Sequence, residues 1–321
     1  MAGFVRCLML GAAAMAVLSL AEAQGQSKYP HESVTLVTHS SPGGGSDVFL
    51  REMAKYLGPA MGVNFVVDNV RGGSGARAVA KVAQSPADGS VFYATTPTYI
   101  QTTLLSKMEF GYDSLEPLVI VFFDPEVIYT RAQSPFKSLT DAIAYGKQTP
   151  GKAKWGAANP ASLERIALER LNRLTGVRAA VVTHEGGGDL MINVLNGTLD
   201  FGIGEIQEIR AQLDAGQVNL LAVLTDRRLD QYPNLPTAKE QGIDLTVTKF
   251  RGLAGPKGLP ANVIAAWEAA IQRLLASPAY KKEYERDNLV PAFMDHAKAG
   301  AFTSEFAKEV TASLRDFGVT K

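Results

Sequence analysis

From Ser33 onward, short runs of β-branched and aliphatic residues alternate with stretches whose apolar positions recur every three or four residues. Val34 to Thr38, Val63 to Asp68, Val91 to Thr95, Leu118 to Phe123 and Glu126 to Arg131 read as strands, as do Val177 to Thr183, Leu199 to Gly204 and Val218 to Thr225. Lys154 to Pro160 reads as a strand running into a small-residue loop, and Leu245 to Leu253 reads as extended. Between them lie helical patterns. One carries Val48, Phe49, Met53, Ala54 and Leu57 on a face, and others run from Ala76 to about Gln84, Thr140 to Lys147, Ser162 to Leu174 and from Glu205 to Leu213. Pro260 opens a long helix with Val263, Ile264, Trp267, Ile271 and Leu274 on one side, and two more follow, around Tyr280 to Arg286 and from Ala299 to Phe317. Alternation of this kind predicts an α/β fold with largely parallel sheets. Asp124-Pro125 and Lys249-Phe250-Arg251-Gly252 interrupt it at places where the chain can cross between two domains.

Several strand ends run into glycine. Thr38-His39-Ser40-Ser41-Pro42-Gly43-Gly44-Gly45-Ser46-Asp47 is a strand end, a sharp turn and a helix opening, with Ser46 or Asp47 as N-cap. Glycine lets a ligand approach the backbone, and the N–H groups of a helix start favour an anion, most simply a carboxylate. Asp68-Asn69-Val70-Arg71-Gly72-Gly73-Ser74-Gly75 repeats the device, and the third strand ends in Thr95-Thr96-Pro97-Thr98. In an open α/β sheet such ends share the ligand-binding edge. Thr183-His184-Glu185-Gly186-Gly187-Gly188-Asp189 echoes the first turn, either by coincidence or because two similar lobes each offer a backbone anion site to one cleft.

Composition narrows the field. Arg6, the apolar run Cys7 to Leu20 and Ala21-Glu22-Ala23 fit a secretory leader cleaved after Ala23, which places the product outside the cytoplasm. The single cysteine, Cys7, lies in that leader, so the mature chain has no disulfide, thiol nucleophile or thiolate metal site. With 321 residues and 46% hydrophobic content the chain can bury two cores. Its 32 basic and 32 acidic residues balance, which argues against a nucleic-acid partner. His31, His39, His184 and His296 lack metal-ligand spacing; His39 and His184 sit at strand ends as pocket-rim candidates. Gly72-Gly73-Ser74-Gly75-Ala76 misses the nucleophile-elbow pattern by its last glycine. Gly73-Ser74-Gly75-Ala76-Arg77-Ala78 lacks the acidic residue that a dinucleotide site wants, and no phosphate-loop motif exists. What remains is glycine and hydroxyl loops without a nucleophile, general base, metal or cofactor, the make-up of a binding site.

The ordered set of these segments resembles the Bug receptors, the extracytoplasmic solute receptors of tripartite tricarboxylate transporters. It comprises Tyr29-Pro30, Ser41 to Asp47, Asp68-Asn69 with Arg71 to Gly75, Ala87-Asp88-Gly89, Gly186 to Asp189, Gly197-Thr198-Leu199-Asp200, Tyr232 to Thr237 and Phe250 to Gly252 with Ala254 to Gly258. The resemblance implies a monomeric, two-lobed periplasmic binding protein of type II-like form, with residues 28–124 and 250–321 in one lobe and 125–249 in the other. Two crossover strands form its hinge. It implies no catalysis, a small carboxylate ligand held by glycine-loop amides and ordered water, and membrane transporter subunits as partners. Carried over, the binding residues are Pro42, Gly43, Gly44, Gly45, Ser46, Asp47, Arg71, Gly73, Ser74, Gly75, Thr95, Thr96, Thr98, Ala157, Ala158, Asn159, Glu185, Gly186 and Gly187. Asp200 and Glu205 join them, with helix capping or a solvated edge as the competing account. One departure stands out: many members have an aromatic and a lysine where this chain has His184 and Glu185. Either Glu185 points away, or the far end of the ligand is neutral or carries an amine. Arg71, Lys249 and Arg251 are the cations near these loops, in salt bridges or hinge packing if not on ligand. The alternatives are a receptor that presents its ligand to a sensor kinase, and a secreted serine hydrolase using Ser74 or Ser46.

Overall fold

The structure, a computed structural model, describes residues 29–316. The leader expected over residues 1–23 lies outside them, as does Phe317, the expected end of the last helix. In chain order the elements are β1 (Ser33–Thr38), α1 (Gly45–Met61), β2 (Asn64–Asn69), α2 (Ala76–Ala83), β3 (Val91–Thr95), α3 (Pro97–Leu105), β4 (Leu115–Phe123) and β5 (Glu126–Arg131). Then come α4 (Leu139–Gln148), β6 (Lys154–Ala157), α5 (Leu163–Thr175), β7 (Ala180–Thr183), α6 (Gly187–Leu195), β8 (Phe201–Glu205), α7 (Ile206–Asp214) and β9 (Val218–Val223). The chain closes with β10 (Phe250–Pro256), α8 (Ala261–Ala276), α9 (Pro278–Arg286), β11 (Val290–Met294) and α10 (His296–Asp316).

The strands form two sheets, β11-β4-β10-β3-β1-β2 and β7-β6-β8-β5-β9. This is the two-lobed architecture that the sequence predicts, except that each sheet is mixed. Parallel pairing holds where strand–helix–strand units follow one another, as in β1 with β2 and β3 and in β6 with β7 and β8. The strands flanking the crossings, β4, β5 and β10, pair antiparallel because the chain leaves one sheet and re-enters it from the other side. Asp124 N–H donates to Lys249 O at 3.0 Å and Phe123 lies opposite Phe250, so the two crossings run side by side.

Local chemistry places most ends. The Gly62 and Gly176 caps after α1 and α5 take the left-handed conformation that stops a helix, and Ser138 with Asp141 makes a capping box for α4. Two elements have no counterpart in the periodicity. The helix α3 carries little apolar contrast and is started instead by Thr96, whose hydroxyl accepts from Thr98 N–H, with Pro97 in its first turn. Strand β11 contains Pro291, which an edge strand tolerates.

Each lobe has its own core. In the first, Trp267 of α8 is fully buried, lies edge-on to Phe92 at 4.8 Å, and donates from Nε1 to Tyr29 Oη at 3.0 Å. Tyr29 in turn donates to Gly89 O at 2.7 Å, which ties the start of the domain to the Asp88-Gly89 turn. In the second, Trp155 packs with Phe201 and Leu168 between sheet and helices. Tyr29→Phe leaves both Trp267 Nε1 and Gly89 O buried without this partner, and should cost about 1–3 kcal/mol in denaturant unfolding with an unchanged m-value.

Candidate functional site

The two glycine turns meet face to face. At the end of β1 the Ser40 to Gly44 turn feeds α1, with Gly44 as an N-cap that has no side chain of its own to cap the helix start. Asp47 does not reach into the cleft; it accepts from Gly43 N–H at 2.9 Å and is tied to Arg51 and Asn69. At the end of β7 the Gly186 to Gly188 turn feeds α6, again without a side-chain cap. A Cβ on Gly186 would collide with Ser41 and one on Gly188 with Pro42 O, so the turns interlock only as glycine. Ser41 Oγ, buried between them, has no hydrogen-bond partner among the described residues.

The anion position of the first turn is filled from the opposite lobe. Gly45 N–H donates to Glu208 Oε1 at 2.5 Å, and Glu208 belongs to the first turn of α7. Its carboxyl lies against the Cα faces of Gly187 and Gly204, where a Cβ would strike it. The chain thus supplies its own carboxyl to the helix start that the sequence marks as an anion site.

Behind the turns is a buried charge cluster. Arg251, 1% exposed, donates from Nε to Asp124 Oδ2 at 2.7 Å, from Nη1 to Ser46 Oγ at 2.9 Å and from Nη2 to Glu205 Oε1 at 2.8 Å. Lys249 Nζ lies 3.0 Å from Glu126 and 2.5 Å from Glu164, and also pairs with Glu205. Gln207 donates to Asp124 at 2.7 Å. Glu126, Glu164 and Glu205 have the mutual spacing of a metal-binding trio, but the Lys249 ammonium already sits among them.

Five carboxyls, of Asp124, Glu126, Glu164, Glu205 and Glu208, therefore face two cations. The excess shows in proton affinity. Burial pushes Glu208 up to about 8 and Glu126 well above the carboxylate range. Glu164 is held down at about 2: burial works against its charge, and the Lys249 ammonium beside it prevails. His39, which pairs through Nδ1 with Tyr93 Oη at 2.7 Å, is lowered to about 4 by burial and by Lys249. The space left between the walls is about 20 Å³, room for one water. Here the walls are closed on each other; beside them a groove of about 510 Å³, lined by Ser74 and Leu105 on one side and Arg165 and Ile166 on the other, stays open.

Residues 49–318 match the family described as the tripartite tricarboxylate transporter family receptor. The chain belongs to that receptor family. A UPF0065 protein in the gbd 5' region of Cupriavidus necator is 25% identical over 317 residues, covering 97% of this chain and 96% of that protein. The periplasmic binding protein BugD superposes with a TM-score of 0.86 at 23% identity, over 91% of this chain and all of BugD, which fixes the fold. An R. palustris protein solved with adipate matches with a TM-score of 0.80 at 26% identity, over 89% of this chain and 98% of its own. Members are periplasmic solute receptors, and no helix among the described residues is long and apolar enough to cross a membrane.

Of the residues the sequence singled out, this receptor brings Gly45, Ser46, Thr96, Thr98, Ala158, Asn159, Gly186, Gly187 and Glu205 to the cleft wall, with His39 beside them. Others lie elsewhere. Asp200 precedes β8, at the opposite end from Glu205, where its carboxylate accepts from Lys154 N–H at 2.8 Å. Arg71 pairs with Asp189 away from the cleft wall, and Ser74 lines a separate groove with Leu105 and Arg165. Glu185 is exposed and does not line this space. Pro42, Gly43, Gly44, Gly73, Gly75, Thr95 and Ala157 shape the turns and strand ends without lining the space. Sequence reasoning missed Ser40, Glu164 and Glu208; the two acids stand in the first turns of α5 and α7, where an acid reads as a dipole partner.

Arg251→Met leaves buried Asp124 with no cation and only the Gln207 amide, and Glu205 with Lys249 alone, and should cost about 3–5 kcal/mol in denaturant unfolding. The pH profile follows from the shifted groups. Glu208, raised from an unfolded value near 4.5 to about 8, contributes stability that is complete below pH 4.5 and is lost as pH rises towards 8; Glu126 has the same sign. His39, lowered to about 4, opposes them only between pH 4 and 6.5. The melting temperature should therefore fall from pH 6.5 to 8, and less steeply in Glu208→Gln; a wild-type melting temperature that rises over that interval contradicts this account.

Proposed function

We propose that this receptor captures a small organic carboxylate between its lobes in the periplasm and hands it to the membrane subunits of a tripartite tricarboxylate-type transporter. The observation that carries the reading is the Gly45 N–H: in the closed cleft it already holds a carboxyl, that of Glu208. A ligand carboxylate that takes its place meets the same helix start, the unpartnered Ser41 hydroxyl and the Gly186-Gly187 turn. The R. palustris relative solved with adipate supports the same chemistry at 26% identity.

Residues 28–124 with 250–321 form one lobe in this reading and 125–249 the other, hinged at the paired crossings by Asp124 and Lys249. The leader is removed after Ala23 on export, and the mature chain acts as a monomer. Catalysis has no support: Ser46 Oγ is bonded to the Arg251 guanidinium, which cannot take a proton, and Ser74 lies outside the cleft. Hydrogen bonds to a charged group contribute about 1.5–3 kcal/mol each, so four or five, less ordering and desolvation costs, reach the roughly 8 kcal/mol of micromolar binding.

Thermal unfolding of the chain from Gln24, screened against mono-, di- and tricarboxylates and their uncharged amides, tests this. A carboxylate at 100 times its dissociation constant should add about 2.7 kcal/mol of stability, and its amide should not. Equal shifts with acid and amide, or none with any acid, would sink the carboxylate reading.

A further inference from the structure

The charge balance of the cleft says more about the solute, given the receptor reading above. Arg251 and Lys249 are both committed, the first to Asp124, Ser46 and Glu205, the second to Glu126, Glu164 and Glu205. An incoming carboxylate finds no free cation there among the described residues. It also displaces Glu208, whose carboxyl has no ion-pair partner among them and accepts its one hydrogen bond from Gly45 N–H. The displaced carboxyl remains anchored on α7, against the Cα hydrogens of Gly187 and Gly204, which donate no strong hydrogen bond. Beside it, Glu205 Oε2 is buried at the cleft wall without a donor. A second anion entering this site adds to the acid excess and leaves a carboxyl unpartnered.

We propose that the solute carries a protonated nitrogen as well as a carboxylate, the carboxylate replacing Glu208 at Gly45 N–H and the nitrogen being received by the displaced Glu208 carboxyl. Because Glu208 now touches the same N–H that the solute's carboxylate would take, the two solute groups must be close neighbours. Nitrogen on the first or second carbon from the carboxylate satisfies this, as in an α- or β-amino acid. The groups facing Glu208 from the elements packed around it are Glu164 of α5, Tyr129 of β5, Asp124 of the crossing and Arg251 of β10. Three of those four are acids or a phenol, so a cation at Glu208 is the partner this wall lacks. Glu208, which keeps a proton near neutral pH in the self-closed cleft, gives it up to solvent as the protonated nitrogen arrives, and is then the residue that separates amino-bearing acids from plain ones.

Calorimetric titration of the chain from Gln24 with matched pairs, 2-aminoadipate against adipate and aspartate against succinate, tests the claim. The amino member of at least one pair should bind about tenfold to a hundredfold tighter, the factor carried by one charge-assisted hydrogen bond. Glu208→Gln keeps an acceptor for Gly45 N–H, and its folding is checked by its melting transition; there the preference should collapse towards unity. If adipate and succinate each bind as tightly as their amino partners in the wild type, the inference fails while the carboxylate-receptor reading stands. If the preference survives intact in Glu208→Gln, Glu208 is not the nitrogen's partner and the inference fails. If neither member of either pair binds, the inference fails, and the panel of acids and amides above decides separately whether the receptor reading falls with it.

Discussion

The guanidinium of Arg251 is the constraint around which the cleft is arranged. A charge that is 1% exposed has lost its water and must recover it from fixed acceptors. Its three acceptors come from three parts of the chain: Asp124 from a crossing, Ser46 from the start of α1, and Glu205 from the end of β8 in the other lobe. Gly45 lacks a side chain for the same reason, since a Cβ there would run into Arg251 Nη2 and Glu205. The Lys249 ammonium, two residues earlier, ties Glu126 and Glu164 to the same Glu205. Opening the lobes must break or stretch the bond between Arg251 and Glu205, and water must then solvate both. Closure is thus an exchange between buried ion pairs and hydrated ones, which leaves the balance within reach of a ligand.

The fold was largely legible because its signals are local. A β-branched run, a glycine turn and an amphipathic helix each declare themselves within about fifteen residues, and repeated they imply parallel strand–helix units. The mixed character of the sheets was not legible, since it arises from where the chain re-enters a sheet after a long excursion. Helix α3 escaped because its residues Pro97 to Thr102 are buried nearly all round, which erases the 3.6-residue contrast. Strand β11 escaped because proline argues against a strand except at an edge, and edge position is a tertiary fact.

The candidate site divides along the same line. Glycine turns and hydroxyl caps at strand ends were readable, and the echo between the Thr38 and Thr183 stretches corresponds to two turns that interlock across the cleft. The charged residues were not readable as a group. Asp124, Glu126, Glu164, Glu205, Glu208, Lys249 and Arg251 come from separate elements, and each has an ordinary local account as a cap, a strand end or a hinge charge. Glu185 and Glu208 show the limit well. The sequence raised the right difficulty, an acid in a site for anions, and attached it to the acid adjacent to the glycines. That acid faces solvent, and the one in the cleft comes a helix and a strand later.

A receptor that closes on its own carboxyl sets a particular standard for its ligand. With about 20 Å³ between the walls, a solute cannot be added to the closed cleft; it has to replace what is there. A ligand shifts the open–closed equilibrium only by the difference in its affinity for the two states. Replacing the Glu208 carboxyl at Gly45 N–H with another carboxyl gains nothing by itself, because one acceptor substitutes for another at the same donor. The gain must come from donors and acceptors that self-closure leaves idle: the Ser41 hydroxyl, the Glu205 Oε2 lone pairs, and Glu208 itself once displaced. Two of those three are carboxyl oxygens. Selectivity in this cleft is therefore set less by the helix starts, which accept any carboxylate, than by what the solute offers to the acids behind them.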